Sequence, residues 1–295
     1  MNTFLHPKRV VQALYYGFKW RLKKLLRLPE KPRLPVVSGD LDAALYHHRK
    51  IATLVSAHLS DMQMKEGLTG CEIGSGDCLV IADLLLGKGY QKVYLVEKQR
   101  IVVNKRQIEI LERLRESGLP NKLEAVIAGT SPSLNTEKVT VIPEYFENAV
   151  LTDKVDFIFS HDVIEHVEDL KGFFLKCASI LSPDGLMVHK FDLSGHEFFE
   201  YPIPHLDFQT YSDWLYDLMF PKYRRSCRWF LDEITDAVRS AGFTCIEAIT
   251  LTSEDADYAR KLYPQLRTKA RRRTLEQILP MDVLLTARLT RTDLQ

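Results

Sequence analysis

Two sets of residues in this chain have types and spacings suited to chemistry. The first is Glu72-Ile73-Gly74-Ser75-Gly76, followed by a second acid, Glu97, twenty-three residues after Gly74. Glycines at 74 and 76 let a backbone turn sharply off a strand and bring its N–H groups close to a ligand. An acid about twenty residues further on accepts hydrogen bonds from ribose hydroxyls. Together they describe a nucleoside site in a βαβ unit. The second set is His189, Asp192 and His196, in the run His189-Lys190-Phe191-Asp192-Leu193-Ser194-Gly195-His196. Three readings stand for it. An aspartate can orient a histidine and raise its basicity, making it a general base. Two histidines and an aspartate can hold a divalent ion that acidifies a hydroxyl. The residues can also form a hydrogen-bonded loop beneath a pocket. The base is the preferred reading, and no metal ligand set is assigned.

The first set also indicates which nucleoside. A dinucleotide site wants Gly-x-Gly-x-x-Gly, whose third glycine lets the helix pack tightly on the strand. Here that position is Leu79, and an acid, Glu72, stands before the turn, where a pyrophosphate would be repelled. S-adenosylmethionine fits better. It has no phosphate and carries an ammonium and a sulfonium, so Glu72 near its methionine end and Glu97 on its ribose make electrostatic sense.

The elements that must position these residues emerge from the apolar patterning. Strand-like runs fall at 69–73, 92–96, 139–142, 155–159, 185–191, 243–250 and 282–289. Helical runs cover about 78–87, 100–117, 164–181 and 228–241, with a further helix over 41–66 leading into them. Alternation of strands and helices predicts an α/β fold with a mainly parallel sheet. Residues 121–138 form a polar, turn-rich insertion.

The N-terminal stretch is different. Val11, Leu14, Tyr15, Phe18, Leu22, Leu25 and Leu26 fall on one helical stripe, among Lys8, Arg9, Lys19, Arg21, Lys23, Lys24 and Arg27, with no acid before Glu30. Two readings stand: a helix lying on an anionic membrane surface, or a helix packed on its own domain or a second subunit with solvated lysines. Pro29–Pro35 then breaks the helix as a linker. Residues 1–35 are thus set apart from a main domain over 36–295.

The chain has 295 residues, 45% of them hydrophobic and 27% charged, with a net charge of +1. That is ordinary for a globular domain, and nothing global favours nucleic acid as a partner. Five scattered cysteines without a Cys-x-x-Cys read as reduced and cytoplasmic. The start lacks the pattern of a signal peptide, and no apolar run of membrane-spanning length is present.

The motifs in order resemble those of class I S-adenosylmethionine-dependent methyltransferases. Glu72-Ile73-Gly74-Ser75-Gly76-Asp77-Cys78 is similar to that family's first motif, with Cys78 in place of its last glycine. Glu97 matches the ribose acid. The run Val155 to Val167 resembles the fourth strand and the helix after it, and Leu181-Ser182-Pro183-Asp184-Gly185-Leu186 the turn into the fifth. The resemblance covers about residues 50–250. It implies a Rossmann-like, seven-stranded, mostly parallel sheet with helices on both faces, its last strand (282–289) inserted antiparallel between neighbours. It also implies a cofactor set of Glu72, Gly74, Ser75, Gly76, Glu97 and Ser160. Glu144 after the third strand either meets the adenine amino group or is a surface carboxylate.

The run from His189 to His196, with the aromatic stretch from Leu206 to Tyr216, resembles a bacterial subgroup acting on sugars and polysaccharides. The catalytic candidates are therefore His161, directly after strand four, with His189, Asp192 and His196. His161 either faces the methyl group or makes an adenosine or structural contact. Asp162 and Glu165 have capping-box spacing, and they and His166 read as structural. Glu200 and His205 could line the acceptor pocket within a cap over 192–227. Its aromatics read as core more readily than as a sugar platform. Arg224 and Arg225, near Arg228, either bind an acceptor phosphate or form a solvated helix entry, and Arg271–Arg273 read as a solvated helix face. The expected function is O-methylation of a sugar hydroxyl, on a small-molecule or lipid-linked saccharide acceptor, with peripheral contact to the inner membrane face through residues 8–28. A quinone-like lipid or natural-product acceptor and a non-catalytic binding partner are the alternatives.

Overall fold

The computed structural model describes residues 7–27, 40–59, 67–76, 79–98, 101, 103–118, 133–195, 205–222 and 225–289. The Pro29–Pro35 linker and most of the 121–138 insertion lie outside them. Continuous apolar runs build the centre. β1 (Thr69–Ile73) and most of β4 (Val155–His161) are buried along their length, as parallel strands covered on both faces must be. With β2 (Lys92–Val96), β3 (Val139–Ile142), β5 (Leu181–Asp192), β6 (Phe243–Thr250) and β7 (Asp282–Leu289) they form a seven-stranded sheet of order β3-β2-β1-β4-β5-β7-β6. β7 runs antiparallel between β5 and β6, as expected.

One face of the sheet is covered by α2 (Leu41–Leu59), α3 (Val80–Gly87) and α4 (Lys105–Glu116), which bury Val55, Leu85 and Ile110 against Val93, Phe157 and Val188. The other is covered by α5 (Leu170–Ile180) and by a later helix over Leu231–Ser240, which pack Phe173, Phe174 and Ile234 against Ile158, Met187 and Phe191. Local chemistry sets the helix starts. Asn104 and Gln107 form a capping box for α4. The Asp169 carboxylate accepts the Gly172 N–H at 2.9 Å to cap α5, a bond worth roughly 1 kcal/mol.

Several element boundaries differ from the expected ones. The helical run expected over 164–181 divides into a single 3-10 turn, Ile164–His166, and α5. β5 begins at Leu181, four residues early, with a register shift against β4. Short helices over Ala256–Leu262, Thr268–Arg271 and Leu275–Ile278 bury Leu262, Leu266 and Ile278 against Leu206 and Phe230. In this segment Arg273 is not on a solvated face. Its guanidinium meets Asp232 at 2.8 Å and lies 4.3 Å from the Phe230 ring centre.

α1 (Pro7–Leu25) packs on α6 (Asp213–Met219), but of the stripe read from its large side chains only Leu14 joins the packed face. The packed face is Val10, Ala13, Leu14, Gly17 and Arg21. Ala13 sits among Phe208, Tyr211, Tyr216, Met219 and Phe220. Gly17 comes so close that a Cβ there would stand 2.2 Å from the Met219 carbonyl oxygen. Arg21 donates to the Leu218 and Asp217 carbonyls at the end of α6. Small residues permit this approach, and large ones would hold the helices apart. Among the described residues no helix is long and apolar enough to cross a membrane.

Candidate active site

The carboxyl ends of β1, β2, β4 and β5 meet at one edge of the sheet, where an open α/β sheet binds its ligands. The β1 loop turns there on two glycines in the left-handed region, Gly74 (φ +73°) and Gly76 (φ +62°). At Gly74 space matters as well, since a Cβ would fall 2.4 Å from Cγ2 of Val163. The close approach presses the β1 loop against the β4 loop. The Gly74 N–H donates to the Val96 carbonyl, and the Gly76 N–H to Glu97 Oε2, both at 2.9 Å. Glu97 thereby joins the end of β2 to the loop. Its own N–H donates to the Ile142 carbonyl at 3.1 Å, which draws the end of β3 to the same edge. Glu144 stands two residues beyond, exposed, and accepts the Tyr145 N–H at 2.8 Å.

Glu72 and Ser75 are buried, and neither Glu72 Oε2 nor Ser75 Oγ has a hydrogen-bond partner among the described residues. Burial first, and the nearby Glu97 second, push the Glu72 carboxyl up to about 8. A buried acid with an unsatisfied oxygen is costly unless a ligand completes it. A cation does so best, because it also draws the proton off. The residues present therefore fit the positively charged methionine end of S-adenosylmethionine and would repel a phosphate.

The neighbouring edge, at β4 and β5, holds a cluster that the sequence motifs reveal only in part. The His161 ring lies 5.3 Å from that of His47 on α2, edge to face, and its Nδ1 is 3.4 Å from Asp162. Lys190 is paired with His161 across β4 and β5, and its ammonium bridges Asp162 at 2.7 Å and Asp282 at 2.6 Å. Burial pulls Lys190 down, but the two carboxylates outweigh it and hold its pKa above the usual lysine value. Burial lowers His161 to about 4 despite Asp162, and lowers His48 to about 4 beside His47 and His161. These imidazoles are neutral near pH 7. His47, His48, Lys190 and Asp282 had no motif to announce them. They come from α2, β5 and β7, and only folding joins them to β4.

Asp162 is not a helix cap. It sits at φ +54° with its carboxylate on Lys190, and the following turn has no side-chain cap. The capping-box reading of Asp162 and Glu165 is thus corrected. The buried Glu165 instead accepts the Asp192 N–H at 3.3 Å. His166 is structural, its Nδ1 meeting the Arg225 carbonyl at 3.0 Å.

The expected pairing of His189 with Asp192 does not form. Three residues apart on one strand, they point to opposite faces. His189 is fully buried. Its ring packs edge-on against Phe173 and Phe174, its Nδ1 meets Ser160 Oγ at 2.7 Å, and burial lowers it to about 3. Ser160, expected at the cofactor, likewise turns into this core. Asp192 accepts the Ser194 N–H at 2.7 Å and turns the chain after β5. His196 and Glu200 lie outside the described residues. His205 accepts the Gly195 N–H through its carbonyl at 2.9 Å.

The cap aromatics Phe208, Tyr211, Tyr216 and Phe220 are core, and Trp214 is exposed. Arg225 and Arg228, read as binding an acceptor phosphate or forming a solvated helix entry, are taken up internally. Arg225 pairs with Asp217, and Arg228 with Asp213 and the Phe208 and Tyr211 carbonyls, 4.1 Å from the Tyr216 ring centre. Arg224 lies outside the described residues.

No curated protein matches the chain. Among solved structures it is similar to phosphoethanolamine N-methyltransferase 2 of Haemonchus contortus, solved with phosphomonomethylethanolamine and S-adenosylhomocysteine. The identity is 14% and the TM-score 0.45, over 81% of this chain and 53% of that one, so this chain spans about half that protein's length. It is also similar to an S-adenosylmethionine-dependent methyltransferase of Mesorhizobium loti, at 16% identity and a TM-score of 0.42, over 85% of this chain and 99% of that one. Likenesses this distant carry no argument about the reaction. A family model described as a methyltransferase domain, however, matches residues 44–248, well over half of the chain and the whole of the edge from Glu72 to Lys190. The chain belongs to that family of methyltransferase domains.

Proposed function

We propose that this enzyme O-methylates a sugar or saccharide hydroxyl, with S-adenosylmethionine as donor and His161 as the general base. The observation that carries the reading is the position of His161. It ends β4, its neighbour Val163 touches the Gly74 turn, and it remains partly open, with a side chain 20% exposed. S-adenosylmethionine supplies the methyl group at its sulfonium carbon. The chain's own residues do the rest. Glu72 and Ser75 offer their unsatisfied oxygens to the methionine end, and Glu97 stands at the ribose. Neutral His161 takes the hydroxyl proton as the new C–O bond forms and the C–S bond breaks. Asp162, facing Nδ1, offsets the charge that develops on the ring.

The saccharide class rests on the likeness of the strand-five run and the downstream aromatic stretch to saccharide methyltransferases. The test is a transfer assay with labelled S-adenosylmethionine against saccharides, lipid-linked saccharides and quinone-like phenols. Label is expected in a saccharide hydroxyl. Label only in a phenol overturns the acceptor class but leaves the methyltransferase in place.

A further inference from the structure

Six basic residues, from Lys8 to Lys24, and no acid belong to α1, a helix whose packed face is small. That leaves its large apolar side chains unused. Val11, Tyr15, Phe18, Leu22 and Leu25 are 66%, 60%, 66%, 42% and 79% exposed. Their spacing of four, three, four and three residues makes one continuous row along α1, next to the face that holds α6. A row of this kind on a folded surface marks a contact with something outside the chain.

Charge and composition identify that contact. Lys19 and Lys23 lie beyond the apolar row, on the side away from α6, and the Lys19 ammonium sits 5.9 Å from the Tyr15 ring centre. Tyr16 and Trp20 stack at 5.9 Å beside them. An apolar row that contains Tyr15 and Phe18 and is bordered by lysines suits the boundary between acyl chains and anionic headgroups. A second copy of a protein would have to bring acids for the lysines, and α1 carries none.

We infer that α1 is a membrane-surface helix, clamped to the enzyme by Ala13, Gly17 and Arg21 and presenting Val11, Tyr15, Phe18, Leu22 and Leu25 to an anionic lipid surface. The clamp ties the helix to the active-site edge. Phe208, in the cluster that holds Ala13, packs so closely on Gly195 after β5 that a Cβ there would meet its ring at 2.8 Å. The bilayer contact and the acceptor side of the sheet are thereby part of one structural unit. This inference does not depend on the acceptor, and vesicle binding is measured without methyl transfer, so the two readings can fail separately.

The experiment is co-sedimentation of the full chain with vesicles of phosphatidylcholine alone or mixed with phosphatidylglycerol, alongside light scattering for mass. Wild type is expected to bind the anionic vesicles and not the neutral ones. The double variant Phe18→Asp/Leu22→Asp, changed only at exposed positions, should lose binding and keep its helical spectrum. Lys19→Glu/Lys23→Glu should weaken it at least about tenfold, since each lysine near an anionic surface contributes about a factor of five. Absence of wild-type binding, equal binding to neutral vesicles, or undiminished binding by either variant overturns the inference. So does a stable wild-type dimer that Phe18→Asp/Leu22→Asp separates.

Discussion

His161 ends β4 and His189 lies three residues before the end of the neighbouring β5, one residue out of step in the ladder, and the two meet opposite surroundings. His161 is paired across the ladder with Lys190, and His189 with Ser160. The offset turns His161 to the α2 face, among His47, Asp162 and Lys190, and His189 to the α5 face, between Phe173 and Phe174. Burial lowers both, to about 4 and about 3. The shift alone therefore does not separate them. What separates them is access and company. One histidine borders the cofactor turn with a carboxylate at hand, and the other has a hydroxyl and two phenyl rings. A histidine at a strand end does chemistry only if the strand's period brings it to the ligand's side.

The contrast between the two histidines is open to direct test. The largest effect is expected at His161. His161→Ala should lower kcat by about 10²–10⁴-fold, the usual worth of a general base, with S-adenosylmethionine affinity unchanged by calorimetry. His189→Ala should instead leave a core cavity, lowering stability by about 2 kcal/mol in denaturant titration while turnover per folded molecule stays near wild type. If the two variants exchange these phenotypes, the comparison is wrong.

Glu72→Gln comes next. Loss of a charged hydrogen-bond acceptor should weaken S-adenosylmethionine binding roughly 10–100-fold. Stability should move the other way. The folded acid keeps its proton up to about pH 8, whereas the ordinary value is 4.5. Wild-type stability is therefore full below 4.5 and falls as pH rises to about 8, by up to roughly 1.4 kcal/mol per pH unit. The glutamine variant should flatten that slope in thermal melts, and an unchanged slope would mean that Glu72 is already ionised. By the same linkage, wild-type cofactor affinity should rise with pH up to about 8, as the proton to be displaced is lost.

The smallest effect is expected at Lys190. Its charge lowers His161, so Lys190→Met should move the acid limb of the kcat profile upward by about one pH unit or less. No movement would separate Lys190 from the base.

The edge built by β1 and β2 was legible because its requirements are local. A sharp turn needs Gly74 and Gly76, and the distance from turn to Glu97 is fixed by one helix and one strand. The central strands β1 and β4 were legible for a related reason, since parallel strands covered on both faces must be apolar along their length. In the strand-five run the face of each residue was not legible from spacing alone. His189 and Asp192 look like a pair in the sequence, yet a period of two sends them apart. The N-terminal stripe did not reveal which side of α1 packs on the domain. Its large residues drew the eye, whereas Ala13 and Gly17, too small to register as a stripe, made the contact.

The sequence by itself determined the α/β sheet, the cofactor turn and the acid partner across from it, because each rests on short-range backbone geometry and on patterns of burial. Only the tertiary structure sets the surroundings of His161, because His47, His161, Lys190 and Asp282 come from four separate elements and meet only when α2 closes over the sheet and β7 inserts beside β5. It also decided which side of α1 faces outward, because that depends on how closely two backbones approach at Gly17.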